Sequence, residues 1–175
     1  MQSTERIADG FFLRRMARRC VEAIFDKRRG PWRYALASIV VAWLVAVALS
    51  SALVASFGYT EEPEPADSLL GIVVLALIMA PVFENLVMVA IVRCFGARKT
   101  PLRTSMAVGA AGLFALATHS NYNLSHGLSA AILFAVMAYT YIDWTELSFR
   151  KRFALTVAQH ALCNLFVLVL MIYAP

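Results

Sequence analysis

Three stretches of this chain hold almost no charge over lengths that match a lipid bilayer, and that feature decides most of what it can fold into. Residues 34–57 and 153–174 contain no Asp, Glu, Lys or Arg, and residues 68–92 contain one, Glu84. A helix rises 1.5 Å per residue, so about 20 apolar residues cross the hydrocarbon layer. Two shorter runs, 105–118 and 127–142, reach that length if their helices extend into the polar stretch between His119 and His126. The pattern predicts five spans, at about 34–57, 68–92, 104–122, 126–142 and 153–174, with the third and fourth forming a tight hairpin. The chain has 175 residues, of which 61% are hydrophobic and 15% charged, which leaves room for one domain and excludes an ordinary soluble enzyme or a disordered chain. The expected fold is all-α, a polytopic membrane helix bundle preceded, within residues 1–33, by a basic amphipathic helix.

The charges fit the same arrangement. A net charge of +5 and a pI near 9.4 invite a nucleic-acid reading. The basic residues lie at the edges of apolar blocks instead, where they act as topology signals, so no nucleic-acid partner is expected. Nine Lys and Arg precede the first span, four lie between the second and third, and three between the fourth and fifth, which accounts for all 16. By the positive-inside rule the N-terminus is cytoplasmic and the C-terminus external, in an integral membrane protein expected in a bacterial inner (plasma) membrane. Phe12, Leu13, Met16, Cys20, Val21 and Ile24 recur at helical spacing beside Arg14, Arg15, Arg18 and Arg19, which suggests a helix lying on the cytoplasmic face of the lipid bilayer. Trp32, Tyr34, Tyr139, Tyr141 and Trp144 fit interfacial aromatic belts, and His126 fits a cap at the outer end of the fourth span. Ala107, Gly109, Ala110, Ala111 and Gly112 are small enough for the third span to pack closely on a neighbour.

Ionisable groups inside a bilayer are costly and therefore point to function. The spans hold Glu84, His119 and His160, with Gln159 and Asn164 adding uncharged polarity. His160 and Asn164 share a helix face at i, i+4. Glu84 is nine residues from Arg93 and His160 eight from Arg152, so both lie roughly 12–14 Å deep. His119, sixteen residues from Arg103, comes out two turns too deep on a straight rod. A carboxylate in a dry pocket can take a proton from water, a histidine can position that water, and a second histidine with an Asn amide can donate to an oxyanion. Glu84, His119 and His160 also form a first shell that a divalent metal such as zinc accepts.

The order of these residues resembles the CPBP family, the CAAX-processing and bacteriocin-processing intramembrane proteases. That family shows Glu-Glu-x-x-x-Arg, then Phe-x-x-x-His, then, one helix later, His-x-x-x-Asn. This chain has Phe83-Glu84-Asn85, then Phe114-Ala115-Leu116-Ala117-Thr118-His119, then His160-Ala-Leu-Cys-Asn164, a similarity spanning roughly residues 70–172. It departs from the pattern at Asn85, where the family has its second glutamate, at Val89, where it has arginine, and at Phe114, which stands five rather than four before His119. The resemblance implies a divergent, short intramembrane endopeptidase with Glu84, His119, His160 and Asn164 as catalytic residues. Glu84 and His119 would hold the nucleophilic water, and His160 with Asn164 would polarise the carbonyl of a membrane-associated peptide or protein substrate. Two other functions stay open on the residues alone: a non-catalytic membrane binder, immunity or scaffold protein, and a small transporter with Glu84 and His119 as a proton relay.

Overall fold

The computed structural model describes residues 26–57, 69–97, 99–121 and 123–173. Residues 1–25, which carry most of the expected basic amphipathic helix, and the acidic loop at 61–67 lie outside the described residues. Asp26 Oδ1 accepts the Arg28 amide at 3.0 Å and caps a short 3-10 turn, Lys27–Arg29. Gly30 then takes φ 87°, a backbone angle that a side chain rarely allows, and Pro31 opens the first long helix where its missing N–H costs nothing.

Six helical segments follow: α1 (Pro31–Phe57), α2 (Leu69–Val74), α3 (Ala80–Cys94), α4 (Pro101–His119), α5 (Leu124–Asp143) and α6 (Phe149–Tyr173). A π turn, Leu75–Met79, joins α2 to α3 as one long rod. Four of the helices, α1, α4, α5 and α6, begin two to four residues ahead of their expected spans, and at α4 and α5 side-chain caps set the start. The Thr100 hydroxyl accepts the Arg103 amide at 3.2 Å, and Asn123 Oδ1 accepts the His126 amide at 2.7 Å. The cap of α5 is therefore Asn123, and His126 supplies the amide that is capped.

Among the described residues four rods are long and apolar enough to cross a membrane: α1, the joined α2–α3, α5 and α6. The fold is an all-α membrane bundle. The fifth rod, α4, has 19 residues but opens on Pro-Leu-Arg-Thr-Ser and closes on His119, and this polar start and finish leave it short of the others in apolarity. It is held by protein more than by composition. Ala107, Ala111 and Ala115, at i, i+4 and i+8, are wholly buried in a core shared with Phe134, Met137 and Ala138 of α5. A Cβ on Gly112 would stand 3.1 Å from the Ala131 carbonyl oxygen, and one on Gly127 would run into Ser120. The α4–α5 hairpin closes only because these positions are bare. Gly109, from the same run of small residues, faces open space.

At the other end of the bundle the basic segments meet. Lys27 Nζ pairs with Asp143 Oδ1 at 2.9 Å, donates to the Asp143 carbonyl at 2.7 Å and lies 5.3 Å from the centre of the Trp144 ring. Arg93 lies 4.7 Å over Phe149 and Arg152 4.6 Å over Tyr141. The aromatic belt expected here is only partly a belt. Trp32 is 61% exposed and Tyr139 49%, but Tyr34 and Trp144 are buried edge to face against each other, with centroids 5.5 Å apart, and Tyr141 is buried too. Lys27 closes over Trp144, so a ring that an interface would leave wet becomes core.

Gly127→Val should prevent closure of the hairpin and sharply lower the yield of folded protein in detergent. Gly109→Ala should raise the melting midpoint slightly, since it removes a helix penalty of up to about 1 kcal/mol without a clash. Thermal unfolding followed by circular dichroism checks both.

Candidate functional site

Three helices deliver one ionisable group each to a common point. Glu84 comes from the second turn of α3, His119 from the last residue of α4 and His160 from the middle of α6. Glu84 Oε2 lies 3.5 Å from His119 Nε2 and 3.8 Å from His160 Nε2. The two-turn mismatch expected for His119 is absent. α4 begins earlier, not later, than the expected span, so His119 is still sixteen residues from Arg103, and the contact shows that the basic residues at the helix ends do not mark one common level.

Hydrogen bonds fix which nitrogen carries which proton. His119 Nδ1 is 3.0 Å from the Ala115 carbonyl oxygen, one helical turn back, so Nδ1 holds a hydrogen and Nε2 is the atom offered to Glu84. Asn85 Nδ2 is 2.7 Å from the Pro81 carbonyl oxygen, so the amide nitrogen, and not the oxygen, faces that way. The same nitrogen reaches His160 Nδ1 at 3.1 Å. It can only donate, so His160 Nδ1 accepts and neutral His160 carries its hydrogen on Nε2, towards Glu84. Glu84 Oε2 is thus buried beside two ring nitrogens without a hydrogen bond from either: His160 Nε2–H stops at 3.8 Å and His119 Nε2 at 3.5 Å. Phe134 pins both rings, with its centroid 6.0 Å from that of His119 and, edge-on, 5.3 Å from that of His160.

Asn85 was noted in the sequence only as a substitution for a family glutamate, and its part here follows from Pro81 standing four residues before it. Asn164, expected as an oxyanion donor, has a backbone partner. The π turn sends the Ala80 amide to the Leu75 carbonyl, and Pro81 has no N–H, so the Ala76 carbonyl loses its helical donors. Asn164 Nδ2 supplies one at 2.7 Å. One hydrogen of that amide therefore secures α6 to the π turn, and the second remains for other work. Gln159 plays a purely structural part. Its Nε2 reaches the Ala35 carbonyl at 3.1 Å, Ser38 Oγ at 2.9 Å and Thr140 Oγ1 at 3.5 Å, tying α6 to α1 and α5.

His119, His160 and Asn164 line one cavity of about 400 Å³ between α1, α5 and α6. Glu84 is not among its lining residues and meets it through the two imidazoles. His126 lines it as well, its ring centroid 5.5 Å from that of His119. The sequence signal for His126 was present: it is the second of the chain's three histidines, one short turn beyond His119.

The possible metal shell fits this arrangement poorly. His160 Nε2 carries a hydrogen as long as Asn85 donates to Nδ1, and a protonated nitrogen has no lone pair for a cation. Among the described residues no three His, Cys, Asp or Glu side chains are arranged to hold a metal ion.

No family model, no curated protein and no solved structure matches the chain.

Two measurements check the site. Solid-state 15N spectra of histidine-labelled protein should show His160 as the Nε2–H tautomer and His119 protonated at Nδ1. Asn164→Ala should cost about 0.6–1.7 kcal/mol of stability, the range found for interhelical polar contacts in membranes, in unfolding from mixed micelles.

Proposed function

We propose that the protein is an intramembrane peptidase of the CPBP type, acting on a membrane-associated peptide or protein. One observation carries it: the carboxylate of Glu84 meets imidazoles from two other helices beside a cavity that both imidazoles line. A purely architectural acid would have its hydrogen bonds met within the fold, whereas Glu84 Oε2 is buried between two ring nitrogens with no hydrogen bond of its own.

The chemistry runs through the protein's own groups. Water held between Glu84 Oε2 and His119 Nε2 loses a proton to Glu84 as its oxygen attacks the peptide carbonyl. The carbonyl oxygen becomes an oxyanion that accepts from His160 Nε2–H and from the second N–H of Asn164. The C–N bond then breaks, and the proton on Glu84 passes to the departing nitrogen, restoring the carboxylate. The Ala115 carbonyl and the Asn85 amide keep both rings in the tautomers this requires. We also propose the N-in, C-out orientation in a bacterial plasma membrane. The gathering of Lys27, Arg93 and Arg152 at one end of the bundle supports it.

A non-catalytic binder is favoured by one feature, the commitment of an Asn164 hydrogen to the Ala76 carbonyl. Glu84→Gln separates the two. It keeps shape and hydrogen-bonding capacity but cannot take a proton from water. Purified and reconstituted in liposomes, the variant should insert and fold normally while losing at least about 10²-fold in cleavage of membrane peptides. Full specific activity in the folded variant would overturn the peptidase assignment.

A further inference from the structure

The cavity beside the imidazoles has a composition that the proposed chemistry does not explain. It is lined by 19 residues, and none is Asp, Glu, Lys or Arg. Its floor is His119, His160 and Asn164. Its walls towards the hairpin carry hydroxyls and an amide, from Ser50 and Ser51 of α1, Ser125 and Ser129 of α5, and Asn123 of the turn. The rest is apolar, including Trp43, Val47, Leu133 and Val167. Such a surface offers hydrogen bonds but no permanently charged side chain among the described residues.

The hydroxyls are oriented. Ser50 Oγ lies 2.7 Å from Ser129 Oγ and 3.4 Å from the Ser125 carbonyl, to which Ser129 Oγ also donates at 2.9 Å. The Ser50 oxygen keeps lone pairs and can accept an N–H. Asn123 Oδ1 is taken by the His126 amide and by Ser125 Oγ, at 2.7 and 3.1 Å, which leaves its Nδ2 as a donor for a carbonyl. Acceptor and donor side by side in this one polar cluster are what a peptide backbone needs once it has left its own helix.

We infer that this cavity is the cradle for an uncoiled, uncharged peptide segment of small and apolar residues, laid from the Ser50–Ser129 pair down to His160. The inference names the substrate class of the peptidase proposed above and rests on that proposal for the word substrate, but not for the occupant.

Trp43 lines the cavity and reports on it directly. Full-length Glu84→Gln protein in liposomes is titrated with a blocked peptide of Ala, Leu and Ser bearing one bromophenylalanine, a quencher of indole fluorescence. The signal is the part of the quenching that Trp43→Phe removes. The neutral peptide should quench, and the same peptide with a central Lys or Asp should need roughly 10²-fold more, given the cost of a charge in such a site. Ser50→Ala, which removes the acceptor, and Val47→Phe, which fills the wall at a surface position, should each weaken quenching by about tenfold or more, the loss of one buried hydrogen bond or of contact volume. Equal quenching by charged and neutral peptides, or no change in both wall variants, overturns the inference. So does full quenching of Trp43 by brominated acyl chains that the peptide does not relieve, since the cavity then holds lipid. Wild-type protein that cleaves the peptide without any Trp43 signal sinks the cradle and spares the peptidase. Trp43 quenching without cleavage by wild type does the reverse.

Discussion

Everything distinctive in this bundle depends on the placement of one carboxylate between two imidazoles. An acid in an apolar bundle is expensive, and the expense falls only if polar partners reach it. Here the partners come from α4 and α6, at 3.5 and 3.8 Å, so the register of three helices is tied to a single oxygen atom. The supports behind that contact are as specific as the contact itself. The Ala115 carbonyl holds one ring, the Asn85 amide holds the other, and Phe134 stands against both.

The π turn shows how backbone accounting shapes such a site. Inside a membrane bundle a carbonyl without a donor is a liability. Pro81 and the widened turn create one at Ala76, and Asn164 resolves it from the neighbouring helix. The same proline presents its own carbonyl to Asn85, four residues on, and so sets the amide that fixes His160. A local break in α-helical pairing thus reaches the imidazole by two routes, one through α6 and one along α3. The tight α4–α5 hairpin, closed over Gly127 and Gly112, brings His119 to meet it.

Much of this was legible in the residues. Uncharged runs announced the rods, the rarity of ionisable groups within them singled out Glu84, His119 and His160, and the small residues of 107–112 announced close packing. What was not legible has physical causes. Hydropathy does not see polar first turns, capped at α4 and α5, so the starts of α1, α4, α5 and α6 came out late. Depth counted along straight rods placed His119 two turns away from a partner it meets. Spacing alone shows neither a π turn nor the carbonyl it orphans, so Asn164 read as a free donor and Asn85 as a gap in a motif. His126 read as a cap because its backbone is in one; its ring lies beside His119. Tyr34 and Trp144 read as interfacial because aromatics at span ends commonly are; they are buried against each other, with Lys27 over the Trp144 ring.

The claim on which the rest stands is that Glu84 and His119 interact directly across the α3–α4 interface. A double-mutant cycle measures this: Glu84→Gln, His119→Gln and the pair together, each by reversible unfolding in mixed micelles. Direct contact requires a coupling energy of about 0.5–3 kcal/mol, as for residues that share one polar network. Strict additivity of the two single changes would mean that the carboxylate and the imidazole do not meet, and the site built on their contact would fall with it.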